Sequence, residues 1–143
     1  MLTDGGMYYT DSGLTMKKFN VKDGMGSYIL RAAGIKVGIV TSDKSEIAKV
    51  RGERLNLDFI YIGALDKKNI LNEICSQNNF SYEEIAFIGD DINDTEILST
   101  VGFSVSPKDA LPEIKKIVDY ISDKKGGKGV FREVAEMILK YRK

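Results

Sequence analysis

The feature that most constrains this chain is the stretch Ile85-Ala86-Phe87-Ile88-Gly89-Asp90-Asp91-Ile92-Asn93-Asp94. Four of its first five residues are apolar, the pattern of a short strand buried on both faces. Gly89 ends the strand, and Asp90, Asp91 and Asp94 follow at once. Such a strand delivers negative charge to the carboxyl edge of a parallel sheet, where open α/β sheets bind their ligands. Carboxylates this close repel one another and need a cation or a positive neighbour. A hard, oxygen-seeking ion such as Mg2+ answers that need. An acidic loop capping the next helix answers the pattern equally well, with Asp94 as N-cap for residues 95–100.

The rest of the chain alternates strands with helices. Residues 7–9 and 14–19 flank Thr10-Asp11-Ser12-Gly13 and read as a β-hairpin. Its large apolar residues suit either a lid on its own domain or, the reading preferred here, a contact between subunits. Asp23 is expected to cap a helix through Ala33, with Met25, Tyr28, Ile29 and Ala32 along one stripe and Gly34 as its stop. Residues 35–40 form a second strand. Asp43-Lys44-Ser45-Glu46 resembles a capping box opening a helix to about Leu55. Residues 59–62 form a third strand broken by Gly63, and Asp66 caps the helix that holds Ile70, Leu71 and Ile74. A polar turn over 81–84 leads into the central strand. Residues 103–105 make a weaker strand, 109–118 a helix with Pro112 near its start, and Tyr120-Ile121 an edge strand. After the loop Gly126-Gly127-Lys128-Gly129, Val130, Val134 and Ile138 beside Phe131, Ala135 and Leu139 mark a final helix. Strand–helix alternation of this kind implies an α/β layer structure around a parallel sheet, in one domain over residues 1–143.

Composition removes whole classes of chemistry. The chain has no histidine, which excludes Ser-His-Asp triads, Cys-His pairs and zinc sites with histidine ligands. Cys75 stands alone, so neither an internal disulfide nor a thiolate cluster is available; it falls on an apolar helical position and reads as core. Lysine plus arginine equal aspartate plus glutamate at 21 each, so no overall field favours nucleic acid or an acidic membrane. No apolar run reaches spanning length and no leader is recognisable. A cytoplasmic protein is expected.

Three strand ends carry polar groups. Thr41-Ser42 follows the strand 35–40; a hydroxyl and backbone N–H groups there suit a phosphate oxygen, although such residues also serve simply as caps. Lys67-Lys68 stands at a helix start, where cations oppose the helix dipole; an anion to be held explains that placement, and so does surface solubility. The aspartate cluster is the third. Together they supply a hydroxyl, a cation and metal ligands at one sheet edge, a set suited to phosphoryl transfer with Mg2+.

With these residues in view, the chain resembles the haloacid dehalogenase superfamily. Thr41, Lys67 and Gly89-Asp90-Asp91-Ile92-Asn93-Asp94 are similar to its second, third and fourth motifs. Leu2-Thr3-Asp4-Gly5-Gly6-Met7-Tyr8-Tyr9, Phe19-Asn20-Val21-Lys22-Asp23-Gly24 and Gly126-Gly127-Lys128-Gly129-Val130-Phe131-Arg132-Glu133 narrow the likeness. They resemble the small capless phosphatases acting on 3-deoxy-D-manno-octulosonate 8-phosphate and related nonulosonate 9-phosphates. The resemblance implies a Rossmann-like core with a protruding hairpin. It implies Asp90 as a direct Mg2+ ligand, Asp91 supporting the metal, and Asp94 orienting the same loop. Thr41 and Lys67 would bind the phosphoryl group, with Ser42 and Asp43 beside it. Arg51, Gly127 and Arg132 would meet a sugar-acid phosphate, the last two in a neighbour's site. The hairpin 7–19 would join four copies into a homotetramer.

The resemblance also implies a strand ending in Asp-x-Asp-Gly immediately ahead of a Leu-Thr-Asp-Gly segment. Here Met1 stands in that place, before Leu2-Thr3-Asp4-Gly5. The nucleophilic aspartate, the acid–base aspartate and their central strand are therefore expected to be absent, leaving two inner sheet edges unpaired between the strands ending at Thr41 and Gly89. Asp4 belongs to the later segment and is not the nucleophile. A start placed at an internal methionine is the expected explanation, which the upstream reading frame tests. Thr41-Ser42-Asp43-Lys44 departs from Thr-Gly-Arg-Lys of octulosonate phosphatases, and its acidic Asp43 leans toward Thr-Gly-Glu-Lys of the nonulosonate type. Two other readings stand beside this one. A non-catalytic oligomerisation domain of the same fold, as in some sialic-acid cytidylyltransferases, suits the missing nucleophile. A receiver-like signalling domain suits the aspartates and lysine but leaves the hairpin and glycine loop unexplained.

Overall fold

A computed structural model describes residues 1–142. An antiparallel hairpin, β1 (Tyr8–Thr10) and β2 (Gly13–Met16), precedes α1 (Val21–Ala32). Then come β3 (Gly38–Val40), α2 (Glu46–Arg54), β4 (Phe59–Tyr61) and α3 (Lys67–Asn78). The second half contains β5 (Ala86–Ile88), α4 (Thr95–Leu98), β6 (Phe103–Ser106), α5 (Pro112–Lys115), β7 (Tyr120–Ile121) and α6 (Val130–Tyr141). The strands from β3 onward pair only in parallel, as β4-β3 and as β5-β6-β7, so the α/β expectation holds and Tyr120-Ile121 is an edge strand.

The sheet is split between β3 and β5, where the resemblance implies a further strand. Val37 O accepts from Asp58 N at 2.8 Å and Thr41 N donates to Tyr61 O at 2.9 Å. Alternation along β3 therefore turns the backbone groups of Gly38 and Val40 the other way. Likewise Phe103 N donates to Ile85 O at 3.1 Å and Gly89 N to Val105 O at 3.0 Å, turning Ala86 and Ile88 away from β6. Among the described residues these four inner-edge residues have no ladder partner. Two cavities, of about 340 and 500 Å3, lie between the half-sheets, and both are lined by Val37, Gly38, Val40 and Ala86–Ile88.

Helices cover the two faces. α1 lies on α6 with Leu30, Val37 and Ala135 at the centre of their contact and Phe131, Ile138 and Leu139 around it. The expected stripe on α1 holds only at Ile29, which packs on the core; Met25, Tyr28 and Ala32 are exposed, and Asp23, Gly26, Ser27 and Leu30 are buried instead. Small residues face α6 because the helices approach closely. A Cβ on Gly26 would stand 3.1 Å from Arg132 Cα. The expected cap is wrong as well. Asn20 caps α1, accepting from Lys22 N at 2.8 Å, while Asp23 reaches across to α6 and accepts from Arg132 N at 3.0 Å. Burial pushes the Asp23 carboxyl above the usual range, and the backbone N–H groups at the start of α6 oppose that. On the other side, Leu71, Ile97 and Val101 pack together with Cys75 at their margin. Burial raises the Cys75 thiol, consistent with a packing residue. Leu98, Ala110 and Ile114 form a third cluster against Phe87. The hairpin stands apart, with Met7, Tyr8, Tyr9 and Met16 exposed.

Candidate phosphate and metal site

The centre of the site is a short 3-10 turn, Ile92–Asp94, which folds the chain back after β5. It brings the Asp94 carboxylate under the strand end, where Oδ2 accepts from Asp90 N at 3.0 Å and Asp91 N at 3.4 Å. Gly89 permits this: a Cβ there would lie 2.7 Å from Asp94 Cβ and 2.9 Å from its carboxylate. Asp94 precedes α4 as the sequence suggests, but its side chain makes no cap bond to that helix. Its other oxygen accepts from Lys67 Nζ at 2.5 Å.

Lys67 opens α3, whose true cap is Asp66, accepting from Asn69 N at 2.9 Å. The Lys67 side chain is 7 % exposed and that of Asp94 1 %. A cation at a helix N-terminus is unfavourable by itself; the buried carboxylate 27 residues away accounts for it. The two alternatives for Lys67, anion holding and surface solubility, resolve against the surface.

Asp91 is exposed and one of its oxygens accepts from Ile92 N at 2.6 Å. Asp90 has no ion-pair partner among the described residues. Burial pushes its carboxyl up, Asp94 and Asp91 add to the rise, and Lys67 opposes it. No three acidic, histidine or cysteine side chains converge as a metal cage among the described residues. Two carboxylates facing an open cavity nonetheless fit Mg2+, which takes one or two protein carboxylates and completes its shell with water and phosphate oxygens.

Across the slot, the turn after β3 is tightly held. Thr41 O accepts from Ala64 N at 2.8 Å, Asp43 O from Gly63 N at 2.8 Å, and Thr41 Oγ1 from Asp43 N at 3.2 Å. Ser42 Oγ accepts from Asn93 Nδ2 at 3.2 Å, a bond that joins the two half-sheets at their carboxyl edge. Thr41, Ser42, Lys67, Asp90 and Asp91 all line the 340 Å3 cavity. Lys17 and Asn93, which sequence reasoning gave no role, line it too.

The remaining expected site residues stand elsewhere. The capping box at 43–46 does not form: Ser45 precedes α2 without a side-chain cap bond. Asp43 instead accepts from Ser45 N at 2.9 Å, from Ser45 Oγ at 2.8 Å and from the Lys17 ammonium. Partial burial works against its charge, but these partners outweigh it and hold the Asp43 carboxyl down at about 2. Arg51 lies 5.6 Å from the Phe19 ring centroid and beside Gly24. Gly127, at φ +68, packs on Thr3 and Asp4 and donates to Met1 O at 2.9 Å. Arg132 turns along its own helix to Glu136, at 2.6 Å. Arg51, Gly127 and Arg132 do not line this chain's cavity.

The family model for haloacid dehalogenase-like hydrolases matches residues 30–134. The chain is 34 % identical over 139 residues to 3-deoxy-D-manno-octulosonate 8-phosphate phosphatase KdsC of Haemophilus influenzae, covering 97 % of this chain and 77 % of that protein. The same enzyme of Yersinia pestis is 34 % identical, with 97 % and 74 % covered. Among solved structures, the enzyme of that name from Moraxella catarrhalis, in complex with a magnesium ion, a phosphate ion and a KDO molecule, superimposes with a TM-score of 0.94. It is 34 % identical, covering 98 % of this chain and 80 % of that one. The cobalt-bound Haemophilus influenzae enzyme gives a TM-score of 0.93 at 34 % identity, with 97 % and 81 % covered.

Proposed function

From the premise that the chain belongs to the haloacid dehalogenase-like hydrolases, as one of their phosphatases, we propose that it serves Mg2+-dependent hydrolysis of a phosphorylated 2-keto-3-deoxy sugar acid. 3-Deoxy-D-manno-octulosonate 8-phosphate is the foremost candidate, since that is the substrate in the names of its relatives. The observation that carries the reading is the convergence of Thr41, Ser42, Lys67, Asp90 and Asp91 on one cavity at the carboxyl edge.

In this reading Asp90, with Asp91 beside it, holds the metal. When bound, Mg2+ neutralises charge on the phosphoryl oxygens and orients them. The Thr41 hydroxyl and the N–H groups of its turn bind the phosphoryl group, and Lys67 offsets negative charge around it. Asp94 fixes Lys67 and the Asp90-Asp91 backbone. The nucleophile is an aspartate on a strand that fills the slot between β3 and β5. Its carboxylate attacks phosphorus as the sugar oxygen departs with a proton from the second, acid–base aspartate of the same strand; that aspartate then takes a proton from the water that hydrolyses the acyl phosphate, releasing inorganic phosphate and restoring both groups. Arg51, Gly127 and Arg132 meet the sugar acid where copies adjoin, and the exposed hairpin joins those copies in a tetramer in the cytoplasm.

A nonulosonate 9-phosphate is the competing substrate. The acidity of Asp43, which favoured it, loses force because Lys17 and Ser45 already occupy that carboxylate. The open slot favours a second reading, a non-catalytic scaffold. Phosphate release from the eight- and nine-carbon substrates, with and without MgCl2, is to be measured on this chain and on one extended by an apolar strand ending in Asp-x-Asp-Gly. Mg2+-dependent turnover by the extended chain is expected. Turnover by neither would overturn the enzymatic reading in favour of the scaffold.

A further inference from the structure

We propose that Lys17, at the foot of the hairpin, is a positioning residue for the turn that carries Thr41 and Ser42, acting through Asp43. The inference rests on the phosphate-site reading above. Lys17 directly follows β2, its side chain is 14 % exposed, and its ammonium ends on Asp43 Oδ2. The opposite oxygen of that carboxylate accepts from Ser45 N, and Asp43 N donates to the Thr41 hydroxyl. One side chain thus clamps the turn from outside while the turn's own bonds fix it from within. Without the ammonium, the Asp43 carboxylate keeps only its bonds from Ser45, and its charge has no ion-pair partner. Rotation toward solvent then breaks the bonds to Ser45 and lets the Thr41 hydroxyl move.

The clamp originates in a different structural unit from the turn. Alternation along β2 and its extension points successive side chains to opposite faces: Met16 outward, where it is exposed with Met7, Tyr8 and Tyr9, and Lys17 inward to Asp43. The phosphate-binding turn is therefore braced by the hairpin whose Tyr8, Tyr9 and Met16 are exposed. Lys17 was invisible as a site residue because its partner lies 26 positions away.

The test uses Lys17→Met, Lys17→Arg, Asp43→Asn and the double variant Lys17→Met/Asp43→Asn. Amide exchange at Asp43 and Ser45 reads the turn, exchange along α6 reads the fold, and titration with inorganic phosphate in MgCl2 reads the site. Lys17→Met and Asp43→Asn are each expected to speed exchange at Asp43 and Ser45 about tenfold with α6 unchanged. Each is expected to weaken phosphate about tenfold by misplacing the Thr41 hydroxyl. Lys17→Arg retains most of both, and the double variant is no worse than either single one. Weaker phosphate binding with unchanged turn exchange, additive effects in the double variant, or no effect of Lys17→Met would each overturn the proposal. If the unaltered chain binds no phosphate but Lys17→Met still loosens the turn, the positioning role stands and the phosphate-site reading falls.

Discussion

Removing the Lys67 ammonium tests both the stability of the fold and the electrostatic reading of its site. In Lys67→Met a side chain of similar length keeps most of the packing, but Asp94, 1 % exposed, loses its counter-charge. Breaking a buried pair by deleting one partner costs about 3–5 kcal/mol. Asp94 still accepts two backbone N–H bonds, at 3.0 and 3.4 Å, which retain part of the solvation of its charge, so about 3 kcal/mol is the expected loss. For a chain of this size that corresponds to roughly 10 °C in Tm. Asp94→Asn in the same background removes the orphaned charge while keeping an oxygen for the Asp90 and Asp91 N–H groups. Lys67→Met/Asp94→Asn should therefore recover about 2 kcal/mol of the loss. Urea unfolding of the four proteins of this cycle, followed by circular dichroism, measures the coupling. A Lys67→Met penalty below about 0.5 kcal/mol, the range of ordinary surface changes, or a double variant no more stable than the single, would refute the reasoning.

Three further outcomes follow from the same geometry. Asp43 is held near 2, below its ordinary 3.8; a depressed carboxyl contributes stability above its unfolded pKa that is lost as pH falls through the folded one. Acid titration of stability should show this loss between about pH 4 and pH 2, and Lys17→Met should remove it from the unfolding curves. Saturating MgCl2, at about a hundred times its dissociation constant, should raise stability by about 2.7 kcal/mol, measured by thermal shift, and Asp90→Asn should abolish the gain. Gly26→Val, whose branched side chain meets the Arg132 backbone from 3.1 Å outward, should cost about 1–3 kcal/mol in urea unfolding, whereas substitution of exposed Tyr28 by serine should stay within about 0.5 kcal/mol.

The order of elements was readable because each strand is a short apolar run and each helix has punctuation at its ends. What local pattern could not supply was the partner of a polar side chain. Asp94 precedes α4 and looks like its cap, yet the carboxylate turns back to the strand end because Gly89 leaves room for it. Asp23 looks like the cap of its own helix, yet it caps a helix 109 residues further on. The Met25 and Tyr28 stripe fits a helical period, but a period does not say which face is covered, and close approach to α6 selected the face with Gly26 and Ser27. Lys67 was legible for the opposite reason. Its position at a helix start is locally unfavourable, and a local penalty retained in a fold points to a compensating contact at a distance.

The same interactions shape the pocket and hold the two half-sheets together. β3 and β4 carry Thr41, Ser42 and, through the following loop, Lys67; β5 and its turn carry Asp90, Asp91, Asn93 and Asp94. No ladder bond crosses between β3 and β5 among the described residues. The polar links that cross at the carboxyl edge are Lys67 to Asp94 and Asn93 to Ser42. An ammonium and a carboxylate in contact at that edge fix the distance between the halves, and that distance sets the width of the cavity between Thr41 and Asp90. A strand entering the slot would meet the inward backbone groups of Gly38, Val40, Ala86 and Ile88 and would add ladder bonds on both of its sides. Its carboxyl end would then emerge between the Thr41 turn and Asp90. Closure of the sheet and completion of the pocket would then be one event, across a gap that the Lys67–Asp94 pair already bridges at the carboxyl edge.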